Sequence, residues 1–345
     1  MAPVGLLDRV KNFYRDRTVD KAPAIASSTA ALLSVAFIVL YVLPFYLSKT
    51  TRPSPTLSRD APSVIRARIR AVTCACIVNA AIAIFIIVQY AQANVYETLH
   101  LLGWWPVDPL DSMRTLLLCA ILFAGPLFEE GIVEGSWRDW VRGKYVVETL
   151  SSWTGWRNLV AGPVTEEIVF RSLLIPLHLL AKTTPKKIVF LTPLYFGIAH
   201  LHHLYEFRLT HPEVPVLPAM LRTVFQFTYT SLFGFFAAFV FLRTGSVYAA
   251  IVAHSFCNWQ GLPRLYGRVG ARSAPSRPVP GAKRSDERAG GDSSTLNVIR
   301  GGDMSLIWTA IYYFLLFVGA YGFYSQLFPL TKSSHALVEF RAKAS

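Results

Sequence analysis

Three short strings bring polar groups into otherwise apolar stretches: GPVTEEIVFR at 162–171, FGIAHLHHLYEF at 196–207 and AAIVAHSFCNWQG at 249–261. Read as a helix from Pro163, the first places Glu167 and Arg171 four residues apart on one face, acid first, which is the favourable order for an ion pair. Glu166 lies about 100° round the helix from Glu167. One carboxylate is then neutralised by Arg171 and the other is left without a cation. A carboxylate held in that state can accept a proton from water, as a general base does. Thr165 sits beside it and can cap or orient it.

The second string places Phe196 and His200 at i, i+4, followed by His202 and His203. A single histidine between membrane helices is more often a hydrogen-bonding tie than a catalyst. His202 and His203 also approach the end of their segment, where interfacial exposure accounts for them. The third string places His254 and Asn258 at i, i+4, so a ring N–H and an amide NH₂ share one face. Fixed donors of this kind suit a site where negative charge develops. Carboxylate, histidine and donor pair together are the parts of a hydrolase that works through activated water. No nucleophile elbow, H-E-x-x-H, phosphate loop or dinucleotide fingerprint occurs.

The elements that must position these groups are apolar helices. The 345 residues are 53% hydrophobic and 16% charged, whereas a soluble domain carries about 25% charged residues. Eight apolar segments occur, at roughly 27–47, 72–93, 113–130, 158–181, 187–205, 219–242, 246–262 and 305–328. A spanning helix needs about 20 apolar residues, so the expectation is an all-α, polytopic integral membrane protein with about eight transmembrane helices. Gly125-Pro126 should kink or end the third. The fourth, fifth and seventh hold Glu, Arg, His, Asn and Pro, and so should face a polar interior. A charged residue at mid-membrane costs about 2.5–3.5 kcal/mol, and three in one segment need pairing or a function.

The net charge of +13 collects at the N-terminus, in 49–70 and in 264–300. Charge between spans orients helices and meets anionic headgroups. It forms no folded basic domain, so no nucleic-acid partner is expected. The four cysteines lie in apolar segments without a C-x-x-C pair and read as small buried hydrophobes. The first seventeen residues lack an apolar core, so a cleaved signal is not expected and the first span should serve as the membrane signal. The chain divides into a basic N-terminal segment at 1–26, a membrane bundle at 27–328 with its motif core at 158–262, and a C-terminal tail at 329–345. The Gly-, Pro-, Ser- and Arg-rich stretch 264–303 reads as a disordered inserted loop.

E-E-x-x-x-R at Glu166, Glu167 and Arg171, F-x-x-x-H at Phe196 and His200, and H-x-x-x-N at His254 and Asn258 resemble, in order and separation, the type II CAAX prenyl proteases. These are the Ras-converting-enzyme family, and FGIAHLHH is similar to its eukaryotic branch. The motifs cover about a third of the chain, and the basic loop departs from a compact family core. The resemblance implies eight helices around a catalytic cavity that opens to the cytosol and the bilayer. It implies removal of the last three residues of farnesylated or geranylgeranylated CaaX proteins such as Ras and Rho GTPases, at the endoplasmic reticulum membrane. It implies that Glu166 and His200 activate water, that His254 and Asn258 stabilise the oxyanion, and that Glu167, Arg171 and Phe196 orient the site. Orientation in the membrane rests on this resemblance more than on loop charge. No cofactor is expected. A zinc ion on Glu166, His200 and His254 is the rival chemistry. A transporter or proton relay using the same buried charges and a non-catalytic scaffold of the same fold are the rival functions.

Overall fold

A computed structural model describes residues 22–270 and 305–340. The N-terminal segment up to Lys21 and most of the expected inserted loop lie outside the described residues. Among the described residues the regular structure is helical, with no strand.

The chain forms two compact units. Among the described residues, the first comprises 22–119, 146–259 and 325–340, and the second 120–145, 260–270 and 305–324. The first contains α1 (Ser27–Val42), α2 (Pro62–Ala91), α3 (Pro185–Ala199), α4 (Val216–Thr244) and most of α5 (Val247–Gln260). The final helix, α6, runs from Leu306 to Leu330. Proline opens α2 and α3, where its missing N–H has no helical partner to lose. α4 ends at Gly245, whose φ of 61° is the left-handed cap that glycine adopts without cost.

Helix length separates lipid-facing elements from site-bearing ones. Among the described residues, four helices are long and apolar enough to cross a membrane: Ser27–Leu47, Pro62–Ala91, Val216–Thr244 and Leu306–Leu330. Their outward faces keep large side chains exposed, among them Leu32, Phe85, Phe225 and Phe317, as a lipid solvent requires. Pro109–Leu122 and Ala124–Val133 would add a fifth span, bent by 80°. The break falls at Phe123, just before Gly125-Pro126, where the proline nitrogen can give no hydrogen bond back to Leu122. The count of eight expected from the apolar segments is not reached by helix length. The fourth segment is cut by two π-helical turns, and α3 and α5 have only 15 and 14 residues.

Within the first unit, one apolar cluster joins α1 and α2 to Val169, Phe170, Leu173, Leu174 and Leu177. A second joins Ile175, Ile188, Phe241, Leu242, Val247 and Leu337. The described part of the C-terminal tail is held to this cluster, where Leu337 N–H donates to the Leu242 carbonyl at 2.9 Å.

His100 is buried in the helix Val95–Leu101, and its Nε2 donates to the His335 carbonyl at 3.0 Å. Burial pulls its pKa down to about 4, against the opposing effect of that hydrogen bond. An unfolded histidine titrates near 6.5, so between these values the unfolded chain binds more protons. The contribution of His100 to stability is therefore complete above about pH 6.5 and declines as pH falls toward 4, by at most roughly 1.4 kcal/mol per unit. The apparent unfolding midpoint in detergent should drop between pH 7.5 and 5.0, and His100→Gln should reduce that drop. An unchanged drop in the variant would assign the pH sensitivity elsewhere.

Candidate active site

The site is built on residues 157–180, which alternate between helix types. Arg157–Ala161 and Ile168–Leu173 are π-helical, while Gly162–Glu167 and Leu174–Leu180 are α-helical. Such π turns widen the helix and shift side chains off the regular spacing, and they occur frequently at functional sites. Neighbours fix this segment from several sides. Thr165 Oγ1 donates to the Ala161 carbonyl at 2.7 Å and lies 3.1 Å from the Tyr41 hydroxyl on α1. Cys76 on α2 reaches the Thr165 carbonyl at 3.6 Å. Ser255 on α5 donates to the Leu159 carbonyl at 2.8 Å.

The two adjacent glutamates have different surroundings. Glu167 is fully buried and its Oε1 accepts from Arg171 Nη1 at 3.0 Å, the ion pair expected from i, i+4 spacing. Arg171 is equally buried, with its guanidinium carbon 4.7 Å from the Phe196 ring and 5.5 Å from the Phe233 ring. Phe196 thus holds the arginine from one side, and its ring meets His200 edge-on at 4.6 Å. Glu166 keeps 23% of its side chain exposed and faces a cavity.

His254 connects the pair. Its Nδ1 lies 2.7 Å from Glu167 Oε1 and its Nε2 3.7 Å from Glu166 Oε2. An ionised carboxylate only accepts, so the Nδ1 position carries the proton. Nε2 is left to face Glu166. The sequence grouped His254 with Asn258 as two donors aimed one way, but the two part company. His254 is buried behind Glu166, whereas Asn258 is exposed on the cavity wall, with Nδ2 donating to the Asn158 carbonyl at 2.9 Å. One amide N–H of Asn258 remains for a ligand. His200 also lines the cavity. Its Nδ1 donates to the Phe196 carbonyl at 2.7 Å, so in the neutral ring Nε2 carries the lone pair.

The polar cavity has a volume of about 190 Å³ and brings Glu166, His200 and Asn258 onto one surface. A more apolar cavity of about 280 Å³ shares Val42, Ala199 and His202 with it and is lined otherwise by Ile38, Leu43 and Ile198 among others. Among the described residues no three His, Cys, Asp or Glu side chains gather as a metal-binding group.

Several contributors have no signal in the short motifs. Tyr41 comes from a span that reads as plain lipid-facing helix. Glu206, quoted within the second string, is almost fully buried and pairs with Arg68 Nη2 at 2.8 Å. Arg59, Arg68 and Arg157 line the cavity, although the first two read in the sequence only as charge between spans.

Residues 148–260 match the family profile described as Type II CAAX prenyl endopeptidase Rce1-like. The chain is 38% identical over 242 residues to the probable CAAX prenyl protease 2 of Schizosaccharomyces pombe, covering 70% of this chain and 84% of the relative. It is 33% identical over 264 residues to the CAAX prenyl protease 2 of Arabidopsis thaliana, covering 70% and 83%. It is 31% identical over 258 residues to that of Homo sapiens, covering 70% and 74%. No solved structure matches the chain significantly. Long apolar helices, a cavity holding a carboxylate and a histidine, and relatives in fungi, plants and animals matched over most of their length lead to one conclusion: this multi-pass membrane chain belongs to the type II CAAX prenyl protease family.

Proposed function

We propose that this chain removes the last three residues of prenylated CaaX proteins, farnesylated or geranylgeranylated, such as Ras and Rho GTPases. The observation that carries the reading is the unequal setting of the glutamate pair: Glu167 is locked to Arg171 and His254, while Glu166 opens onto the same cavity as His200 and Asn258. Glu166 and His200 take a proton from water, and the resulting hydroxide attacks the scissile carbonyl. The Asn258 amide N–H donates to the oxyanion. His254 supports the same charge when its Nε2 is protonated. The C–N bond then breaks as the proton passes to the leaving amine.

The prenyl chain partitions into the bilayer, at about 0.8 kcal/mol per buried CH₂. The apolar cavity beside the polar one suits that chain, because it shares wall residues with the catalytic space. The working location is the endoplasmic reticulum membrane, with the cavity open to the cytosol.

The test uses purified protein in lipid nanodiscs with a farnesylated CaaX peptide. Cleavage after the prenylated cysteine should exceed that of the unprenylated peptide by at least about tenfold, given the membrane partitioning of the lipid. Equal cleavage would remove prenyl recognition, and solute flux without cleavage would replace the protease by a transporter. Water activation by Glu166 and His200 also predicts full activity after treatment with a strong chelator. Loss that zinc restores would establish the metal-dependent chemistry instead.

A further inference from the structure

The proposed cleavage leaves one part of the substrate without a partner. The departing tripeptide ends in an α-carboxylate, at most about 10 Å of extended chain from the scissile bond. A carboxylate in a cavity beside Glu166 needs a cation, or it is repelled. Whatever cation serves it must line the same cavity.

Three guanidinium groups do so: Arg59, Arg68 and Arg157. Two carboxylates stand against them, Glu206 and Asp60. Arg68 is committed on both sides, with Nη2 donating to Glu206 Oε1 at 2.8 Å and Nε to the Thr51 carbonyl at 2.8 Å. Arg157 is likewise engaged, with Nη1 donating to Asp60 Oδ1 at 2.7 Å and Nε to Asn158 Oδ1 at 2.9 Å. Arg59 differs. Its Nη1 lies 3.7 Å from Glu206 Oε2, beyond hydrogen-bonding range, and 46% of its side chain is exposed. Its backbone is held, because its carbonyl accepts from Arg157 Nη1 at 3.4 Å. Glu206 is already neutralised by Arg68, so the positive charge in excess belongs to Arg59.

We infer that Arg59 is a specificity-determining residue that pairs with the C-terminal carboxylate of the substrate. Arg68 and Glu206 form the fixed wall against which it is set. The inference rests on the protease reading of this cavity. It gives the enzyme a gauge for the chain end: a free carboxylate a short extended reach beyond the scissile bond. The same excess charge would also attract an anionic lipid headgroup, and the experiment separates the two.

The full chain carrying Glu166→Gln is placed in nanodiscs of phosphatidylcholine alone. Binding of a farnesylated CaaX peptide is compared with that of the same peptide ending in an amide. The free acid should bind at least about tenfold more tightly, as expected of a hydrogen bond between charged groups. Adding Arg59→Ala should bring acid and amide to equal affinity and leave amide binding unchanged. Equal binding of the two peptides with Arg59 present overturns the inference, and so does an acid preference that survives Arg59→Ala. Equal binding that weakens when phosphatidylserine is added would assign Arg59 to headgroups and overturn it too. Turnover by the unsubstituted protein reports separately on the protease reading: no cleavage alongside a clear acid preference would remove the protease and leave the carboxylate site standing.

Discussion

Glu166→Gln should lower kcat/KM for a farnesylated CaaX peptide by about 10²–10⁴-fold, the range that a general base supplies, and leave the protein folded. The substitution keeps the shape of the side chain and removes its ability to take a proton. Glu166 is part-exposed to the cavity, and among the described residues the one basic side chain within 4 Å of its carboxylate is His254, whose Nε2 at 3.7 Å is too far for a hydrogen bond. No buried cation loses its counter-charge when Glu166 becomes neutral. The apparent unfolding midpoint should therefore stay close to that of the unsubstituted protein, and the peptide should still bind. Asn258→Ala should cost about 10²–10³-fold in the same assay if its amide meets the oxyanion. Cleavage by Glu166→Gln within about tenfold of the original rate would end the assignment of Glu166 as base. Proton abstraction would then fall to His200 alone, whose Nε2 faces the same cavity.

The local chemistry was legible because it obeys helical spacing. Glu167 and Arg171 meet as i, i+4 partners, and Phe196 and His200 do the same, down to the ring nitrogen that donates to the Phe196 carbonyl. The bend before Gly125-Pro126 follows from one missing N–H. Long-range pairing has no such period. Nothing in the run around Tyr41 announces that its hydroxyl touches Thr165, 124 residues away. Nothing in Arg68 announces Glu206, 138 residues on. The separation of His254 from Asn258 was hidden for a related reason. Spacing puts both on one face of α5, but which side chain turns to the glutamates and which to the cavity depends on the segment packed against that face. Helix length does not reach the eight spans that the apolar segments suggest, because π turns and prolines shorten helices without changing the apolar character of the segment.

Glu167→Gln should destabilise the protein far more than Glu166→Gln, although both remove one carboxylate from adjacent positions. Glu167 and Arg171 are both buried, and the guanidinium otherwise meets only the faces of Phe196 and Phe233 among its close ring neighbours. Neutralising Glu167 leaves a buried cation without its counter-charge. Breaking a buried pair from one side costs about 3–5 kcal/mol. The amide of glutamine can still accept one hydrogen bond from Arg171, which places the expected loss toward the lower end of that range. The same change removes the negative charge that His254 Nδ1 meets at 2.7 Å, so activity should fall as well. Two effects then need separating. Removing both charges together, as Glu167→Gln with Arg171→Met, should recover much of the lost stability, because no charge remains unpaired. It should not recover cleavage, because His254 still lacks its carboxylate. Apparent unfolding midpoints in detergent for the two single variants and the double variant decide the matter. A midpoint for Glu166→Gln as low as that for Glu167→Gln would mean that the two glutamates share one structural task, and the division of labour between them would be wrong.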